Sequence, residues 1–233
     1  MCPPAFSASI LSQVSDSHFH ALVLHNGLAV LSIYLPDSGK SDHVFESALN
    51  RVAAGLDHLI LRHRPQGIII GGDLNVEFVT AEGTADILGE CLWPTLRHHR
   101  YSEREDMVMA FCSCFSLVHG PSRIPGEPED RWTRESWGSS AVRTALNHVL
   151  LTRNLALDRW KPWPETRWPR EKHLYWGDHR PILASIVNVA DGGRDRFQLA
   201  TLARAPSYKG WQLNDQTDTV AVRARLSDRK SVV

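Results

Sequence analysis

Asp73 and Asn75, separated only by Leu74, are the residues whose types best suit them to chemistry in this chain. A carboxylate can hold a hard cation or take a proton from water, and an amide can hold a phosphate oxygen or an ordered water. They follow Gly67-Ile68-Ile69-Ile70-Gly71-Gly72. The isoleucines read as a strand buried on both faces, and the glycines let the backbone turn or approach something closely. Ligands of an α/β sheet collect at the carboxyl ends of its strands. Asp, Asn and Gly are also ordinary turn residues, so these positions alone leave a surface turn and a site both open. Three other places put polar groups beside apolar runs. Tyr34 closes one run, Asn147 and His148 interrupt another, and Asp178-His179 leads into a third.

The elements that must position these residues are legible in outline. His18 to Leu24 and Leu28 to Leu35 flank His25-Asn26-Gly27, a strong hairpin signal. Pro36 ends the second strand, which sets Tyr34 near its carboxyl end. Ser41 is a candidate N-cap, and Phe45, Leu49, Val52, Leu56, Leu59 and Ile60 recur at helical spacing. Residues 42 to 63 therefore read as an amphipathic helix, closed by Pro65-Gln66-Gly67. Strand, helix, strand is a crossover unit, which places Tyr34 and Asp73 on one sheet edge if the strands are parallel neighbours. Further on, short helices are expected near Thr84 to Leu92 and over Glu103 to Phe115. Strands are expected at Leu117-Val118, from Trp132, over Ala145 to Thr152, over Leu157 to Trp163 and over Ile182 to Val189. Pro121 to Asp130 reads as a loop. Trp160, Trp163, Trp168 and Trp176 could stack on bases, but packing is the favoured role for such a cluster. Residues 1 to 17 lack a period and read as a disordered leader; residues 191 to 233 read as a linker or tail.

Composition narrows the classes. The 233 residues are 42% hydrophobic, which suits a globular fold with a real core. Lys plus Arg and Asp plus Glu are 26 each, so no global basic field advertises nucleic-acid binding. Cys2, Cys91, Cys112 and Cys114 form no CxxC pair and read as reduced thiols; His98-His99 reads as incidental. There is no run of about eighteen apolar residues and no secretory signal pattern. The expected setting is therefore intracellular, in nucleus or cytoplasm, with no membrane contact.

Taken in order, Tyr34-Leu35-Pro36, Gly72-Asp73-Leu74-Asn75, Leu146-Asn147-His148-Val149-Leu150-Leu151 and Gly177-Asp178-His179-Arg180-Pro181 resemble the endonuclease/exonuclease/phosphatase superfamily of metal-dependent phosphodiesterases. The resemblance spans about residues 18 to 190. It implies an α/β fold, a four-layer sandwich of two packed β-sheets flanked by helices. It also implies roles: Asp73 activates the attacking water, Asn75 holds the scissile phosphate or that water, and Tyr34 bonds a phosphate oxygen. Asp178, with Asp73, helps hold a metal, Mg²⁺ or Mn²⁺, and His179 stabilises charge on the phosphoryl oxygens.

Two departures from the family pattern change the expectation. The family carries an acidic metal ligand, usually a Glu after Gln, on a strand upstream of the Tyr strand. Here no Glu precedes Glu46, so the first strands and the main ligand are read as missing. The Asp that orients the family's catalytic His is replaced by Asn147, which can accept from an imidazole N–H but cannot stabilise an imidazolium. The expectation is a truncated or degenerate phosphodiesterase of endonuclease type with weak metal binding and poor hydrolysis. Lys209-Gly210-Trp211 resembles a linker found after the endonuclease domain of some non-LTR retrotransposons, whose polyproteins also carry a reverse transcriptase. That implies a DNA partner. The competing readings are a pseudoenzyme used as a binding module and a phosphodiesterase for lipid head groups or poly(A).

Overall fold

The computed structural model describes residues 10–78, 85–88, 103–124, 132–135, 143–162, 179–180, 182–189 and 196–201. The strands are β1 (Ile10–Ser15), β2 (Phe19–Leu24), β3 (Leu28–Tyr34), β4 (Gly67–Asp73), β5 (Leu117–His119), β6 (Arg134–Glu135), β7 (Arg143–Thr144), β8 (Asn147–Thr152), β9 (Leu155–Pro162), β10 (Ile182–Asn188) and β11 (Arg196–Thr201). The helices are α1 (Asp42–His63), α2 (Ala85–Leu88) and α3 (Glu103–Cys114). A six-stranded sheet runs β1-β2-β3-β4-β8-β5, a three-stranded sheet runs β11-β10-β9, and β6 pairs with β7.

The hairpin and the crossover form as their chemistry requires. Gly27 turns at φ 81°, its N–H donating to the Leu24 carbonyl at 3.0 Å. β2 and β3 pair antiparallel. α1 then crosses over so that β3 and β4 pair in parallel, Tyr34 opposite Asp73. Ser41 makes no side-chain cap bond, whereas Phe45, Leu49, Val52, Leu56 and Leu59 are all buried. Each such side chain contributes about 1.5–3 kcal/mol, more than a cap at about 1 kcal/mol, so packing holds this helix.

Strand alternation sorts the main sheet into two faces. One face, with Phe19, Ala21, Leu31, Ile33, Ile68 and Ile70, packs on α1 and α3. The other, with Leu24, Leu28, Ile69, Val149 and Leu151, packs on Leu155, Ala184 and Ile186 of the second sheet. The described residues thus form helices, large sheet and small sheet, the core layers of the α/β sandwich expected above. The second sheet shows three strands among the described residues.

Two stretches differ from the sequence reading. β1 lies inside the segment read as a leader, paired with β2, and β11 lies inside the segment read as a tail, paired with β10. Both are edge strands among the described residues. β1 alternates intermediate and exposed residues, so its amphipathic signal is weak, and pairing with β2, along with the packing of Ile10 and Val14, holds it. The expected helix near Thr84 to Leu92 is described only at Ala85–Leu88. Cys112 is buried and Cys114 exposed, both free, and burial pushes the Cys112 thiol up to about 12. Trp160 packs beside the inter-sheet core. Trp163, Trp168, Trp176, Cys2, Cys91, His98, His99, Asp178 and Lys209-Gly210-Trp211 lie outside the described residues.

Candidate active site

The face that packs between the sheets turns polar towards one end. β3 carries Leu28 and Val30 in the inter-sheet core and continues, on the same side, to Ser32 and Tyr34. β4 passes from Ile69 to Asp73, and β8 from Leu151 and Val149 to Asn147, in the same way. Register sets these ends level: Tyr34 pairs with Asp73, and Asp73 with Asn147. Three adjacent strands thus present a phenol, a carboxylate and an amide in one row.

Backbone geometry at Asp73 depends on Gly72. Its φ is 151°, and a Cβ there would meet the Ile33 carbonyl oxygen at 1.9 Å. No side chain fits, so glycine is required for β4 to close on β3 beside the carboxylate. Asn75 then adopts φ 51°, a left-handed conformation that Asn tolerates better than most residues. Its backbone N–H donates to Asp73 Oδ1 at 3.0 Å, and its Nδ2 donates to the Leu35 carbonyl at 2.7 Å. Asn75 therefore ties the loop after β4 to the loop after β3. It does not line the cavity in which the other residues meet.

His179 completes the row. Its Nδ1 lies 3.0 Å from Asn147 Oδ1. An amide oxygen only accepts, so Nδ1 carries the hydrogen and Nε2 of the neutral ring is an acceptor. That Nε2 lies 3.7 Å from Asp73 Oδ2, with both side chains largely shielded. Tyr34, Asp73, Asn147 and His179 line one cavity of about 430 Å³. A hydroxyl or water entering it meets two proton acceptors, and a developing oxyanion meets the phenol or a protonated imidazole.

Residues that the sequence reading passed over hold this row in place. Thr133 Oγ1 accepts from the N–H groups of Leu146, at 2.9 Å, and Asn147, at 3.0 Å. The Thr133 carbonyl accepts from the Arg180 N–H at 2.7 Å, and Arg134 bridges to His179. One buried threonine thus ties the backbone of Asn147 to that of Arg180, the residue after His179. Arg180 stacks 3.9 Å over the Trp132 ring. Behind the row, His148 Nε2 lies 2.9 Å from the Val76 carbonyl, so it donates. Its Nδ1 then accepts from His119 Nε2 at 3.0 Å. Burial pushes the His148 imidazole down to about 4.

The β1–β2 turn supplies the cavity's other wall, with Ser15, Asp16, Ser17, His18 and His20. The Ser17 hydroxyl donates to Asp16 at 2.8 Å. With the His18 N–H and Arg51, it holds the Asp16 carboxyl below its ordinary range. The sequence signal for this wall is slight: Ser15, Ser17, His18 and His20 stand where the segment read as a leader meets the strand expected from His18.

Among the described residues no three His, Cys, Asp or Glu side chains converge to hold a metal ion. Asp73 is the one carboxylate of the row, and Asn75 is turned to Leu35. These residues do not by themselves fit a Mg²⁺ centre, which takes carboxylates together with near-octahedral oxygens.

Two packed sheets, with helices outside the larger one and a polar row at its strand ends, give this chain the endonuclease/exonuclease/phosphatase fold. Among solved structures it is similar to a 3′-5′ exonuclease, NExo, from Neisseria meningitidis, with a TM-score of 0.54 and 15% identity over 72% of this chain and 64% of that one. It is similar also to a Neisseria 3′ phosphatase NExo bound to a product DNA hairpin, with a TM-score of 0.53 and 17% identity over 78% of this chain and 67% of that one. A third similar structure is the endonuclease domain of TRAS1, a telomere-specific non-LTR retrotransposon, at TM-score 0.45 and 14% identity over 76% of this chain and 67% of that one. This chain spans about two thirds of the length of these structures. No family model and no curated protein sequence matches it. No helix among the described residues is long and apolar enough to cross a membrane.

Proposed function

We propose that this chain is a phosphodiester hydrolase of endonuclease type whose catalysis is impaired by the amide at position 147. The single observation that carries the reading is the convergence of Tyr34, Asp73, Asn147 and His179 on one cavity. Asp73 accepts a proton from the attacking water, and the Tyr34 hydroxyl donates to a phosphoryl oxygen. His179, aligned by Asn147, meets the charge that develops there. Asn75 holds the loop rather than the phosphate. Asp178 is assigned with Asp73 to a weak Mg²⁺ or Mn²⁺ site. A DNA substrate, a retroelement ancestry and an intracellular setting in nucleus or cytoplasm belong to the same reading. The neutral net charge goes with modest DNA affinity.

Incubation with supercoiled plasmid, with and without Mg²⁺ or Mn²⁺, tests it. Slow, metal-dependent nicking that disappears in Asp73→Ala is expected. Robust nicking that survives Asp73→Ala, or none under any condition, overturns the reading. The absence of a three-residue metal cluster among the described residues favours one alternative, a phosphate-binding module without turnover. Isothermal titration separates the two, because such a module binds a phosphodiester without Mg²⁺.

A further inference from the structure

Next to the row of Tyr34, Asp73 and Asn147 lies a second polar row. Ser15 pairs with His20, and His20 pairs with Ser32. Ser32 and Tyr34 are two residues apart on β3, so both rows stand on the same face, one repeat apart, about 7 Å. The same cavity is lined by both rows and by His18. That separation is the scale of one nucleotide step in an extended strand.

The chemistry of the second row suits an anion. Imidazole and hydroxyl groups donate hydrogen bonds, and His20 and Ser32 are exposed. The charged groups near it are Asp16 in the turn, Arg51 on α1, and Asp73 and His179 in the first row. Asp16 and Asp73 are the two carboxylates that would repel an anion, and Asp16 stands on the wall beside this row. Its carboxylate is engaged by Ser17 at 2.8 Å, by the His18 N–H at 3.3 Å and by Arg51 at 3.7 Å. A cation site is not built here, since no three metal-binding side chains converge among the described residues.

We infer that His20, with Ser15 and Ser32, forms a subsite for the phosphate neighbouring the scissile one, which makes the substrate a nucleic-acid strand rather than an isolated phosphodiester. This rests on reading the first row as the phosphodiester site. An isolated diester, such as a lipid head group, offers no second phosphate one step away and leaves this row unused.

The test is fluorescence anisotropy with the full chain, using a labelled single-stranded oligodeoxynucleotide of about ten residues. Competition by bis(p-nitrophenyl) phosphate, a diester with one phosphate, supplies the comparison. His20→Glu should weaken oligonucleotide binding about tenfold more than it weakens binding of the single diester, because the negative charge stands nearest the second phosphate. Ser32→Asp should act in the same direction, and it serves if His20→Glu fails to fold by circular dichroism. Asp16→Asn should tighten oligonucleotide binding, an effect that a merely structural role would not produce. Equal losses for both ligands, no oligonucleotide binding by the wild type, or preference for anionic phospholipid vesicles overturns the subsite. Nicking that persists with such a result leaves the hydrolase reading standing; oligonucleotide binding without nicking does the reverse.

Discussion

His179 Nδ1 lies 3.0 Å from the side-chain oxygen of Asn147, so the imidazole is oriented by a neutral acceptor. A carboxylate in that place would also stabilise the protonated ring. Asn147→Asp is therefore expected to raise the nicking rate at neutral pH by at least about tenfold. Single-turnover plasmid assays check this, and an unchanged or lower rate would show that His179 is not limiting.

Asp73 has a structural duty apart from chemistry. Its Oδ1 accepts the Asn75 N–H at 3.0 Å, a bond that an amide oxygen can also accept. Asp73→Asn should therefore unfold near the wild-type midpoint while losing hydrolysis. Asp73→Ala should lose about 1 kcal/mol as well. Thermal unfolding of the two variants beside the nicking assay separates the duties.

Gly72 leaves no room for any side chain. With a Cβ placed 1.9 Å from the Ile33 carbonyl oxygen, β3 and β4 must part beside Asp73. Gly72→Ala is expected to cost about 3 kcal/mol or more, read by urea denaturation, with loss of plasmid nicking in whatever folds.

The buried His148 makes stability depend on acid. The fold holds it neutral down to about 4, against 6.5 for the free imidazole. As pH falls, the unfolded chain takes the extra proton first. The stability this contributes is complete above about pH 6.5 and is lost progressively towards about pH 4, in total about 3 kcal/mol. Urea unfolding between about pH 7 and about pH 4.5 should show this slope, reduced by about one proton in His148→Gln.

Arg104 clamps the loop that follows Tyr34. Its side chain is 7% exposed and pairs with Asp42 at 2.6 Å. It also donates to the carbonyls of Asp37, at 2.9 Å, and Lys40. Arg104→Ala leaves those acceptors without this donor and should cost about 2–3 kcal/mol. Hydrogen exchange should quicken at residues 37–41 ahead of the sheet.

Much of this is legible in the sequence alone. The Asn26-Gly27 turn, the apolar stripe of α1 and the isoleucine run of β4 are local signals, and the structure bears out each at nearly the expected bounds. They are local because turn chemistry and side-chain period act within a few residues. Gly72 and Asn75 were legible as special but not for the right reason. The closeness of the Ile33 carbonyl and the bond to Leu35 O come from a neighbouring strand, not from the motif.

What the chain's own letters determined, then, were its elements and the residue types at strand ends. Only the tertiary structure decided that Tyr34, Asp73 and Asn147 stand level, that Thr133 ties Asn147 to the backbone beside His179, and that the Ser15 to His20 turn forms the opposite wall. The reason is register. A slip of one residue would send every one of these side chains to the helix-covered face, and register is set by pairing between segments far apart in sequence, which no local pattern encodes.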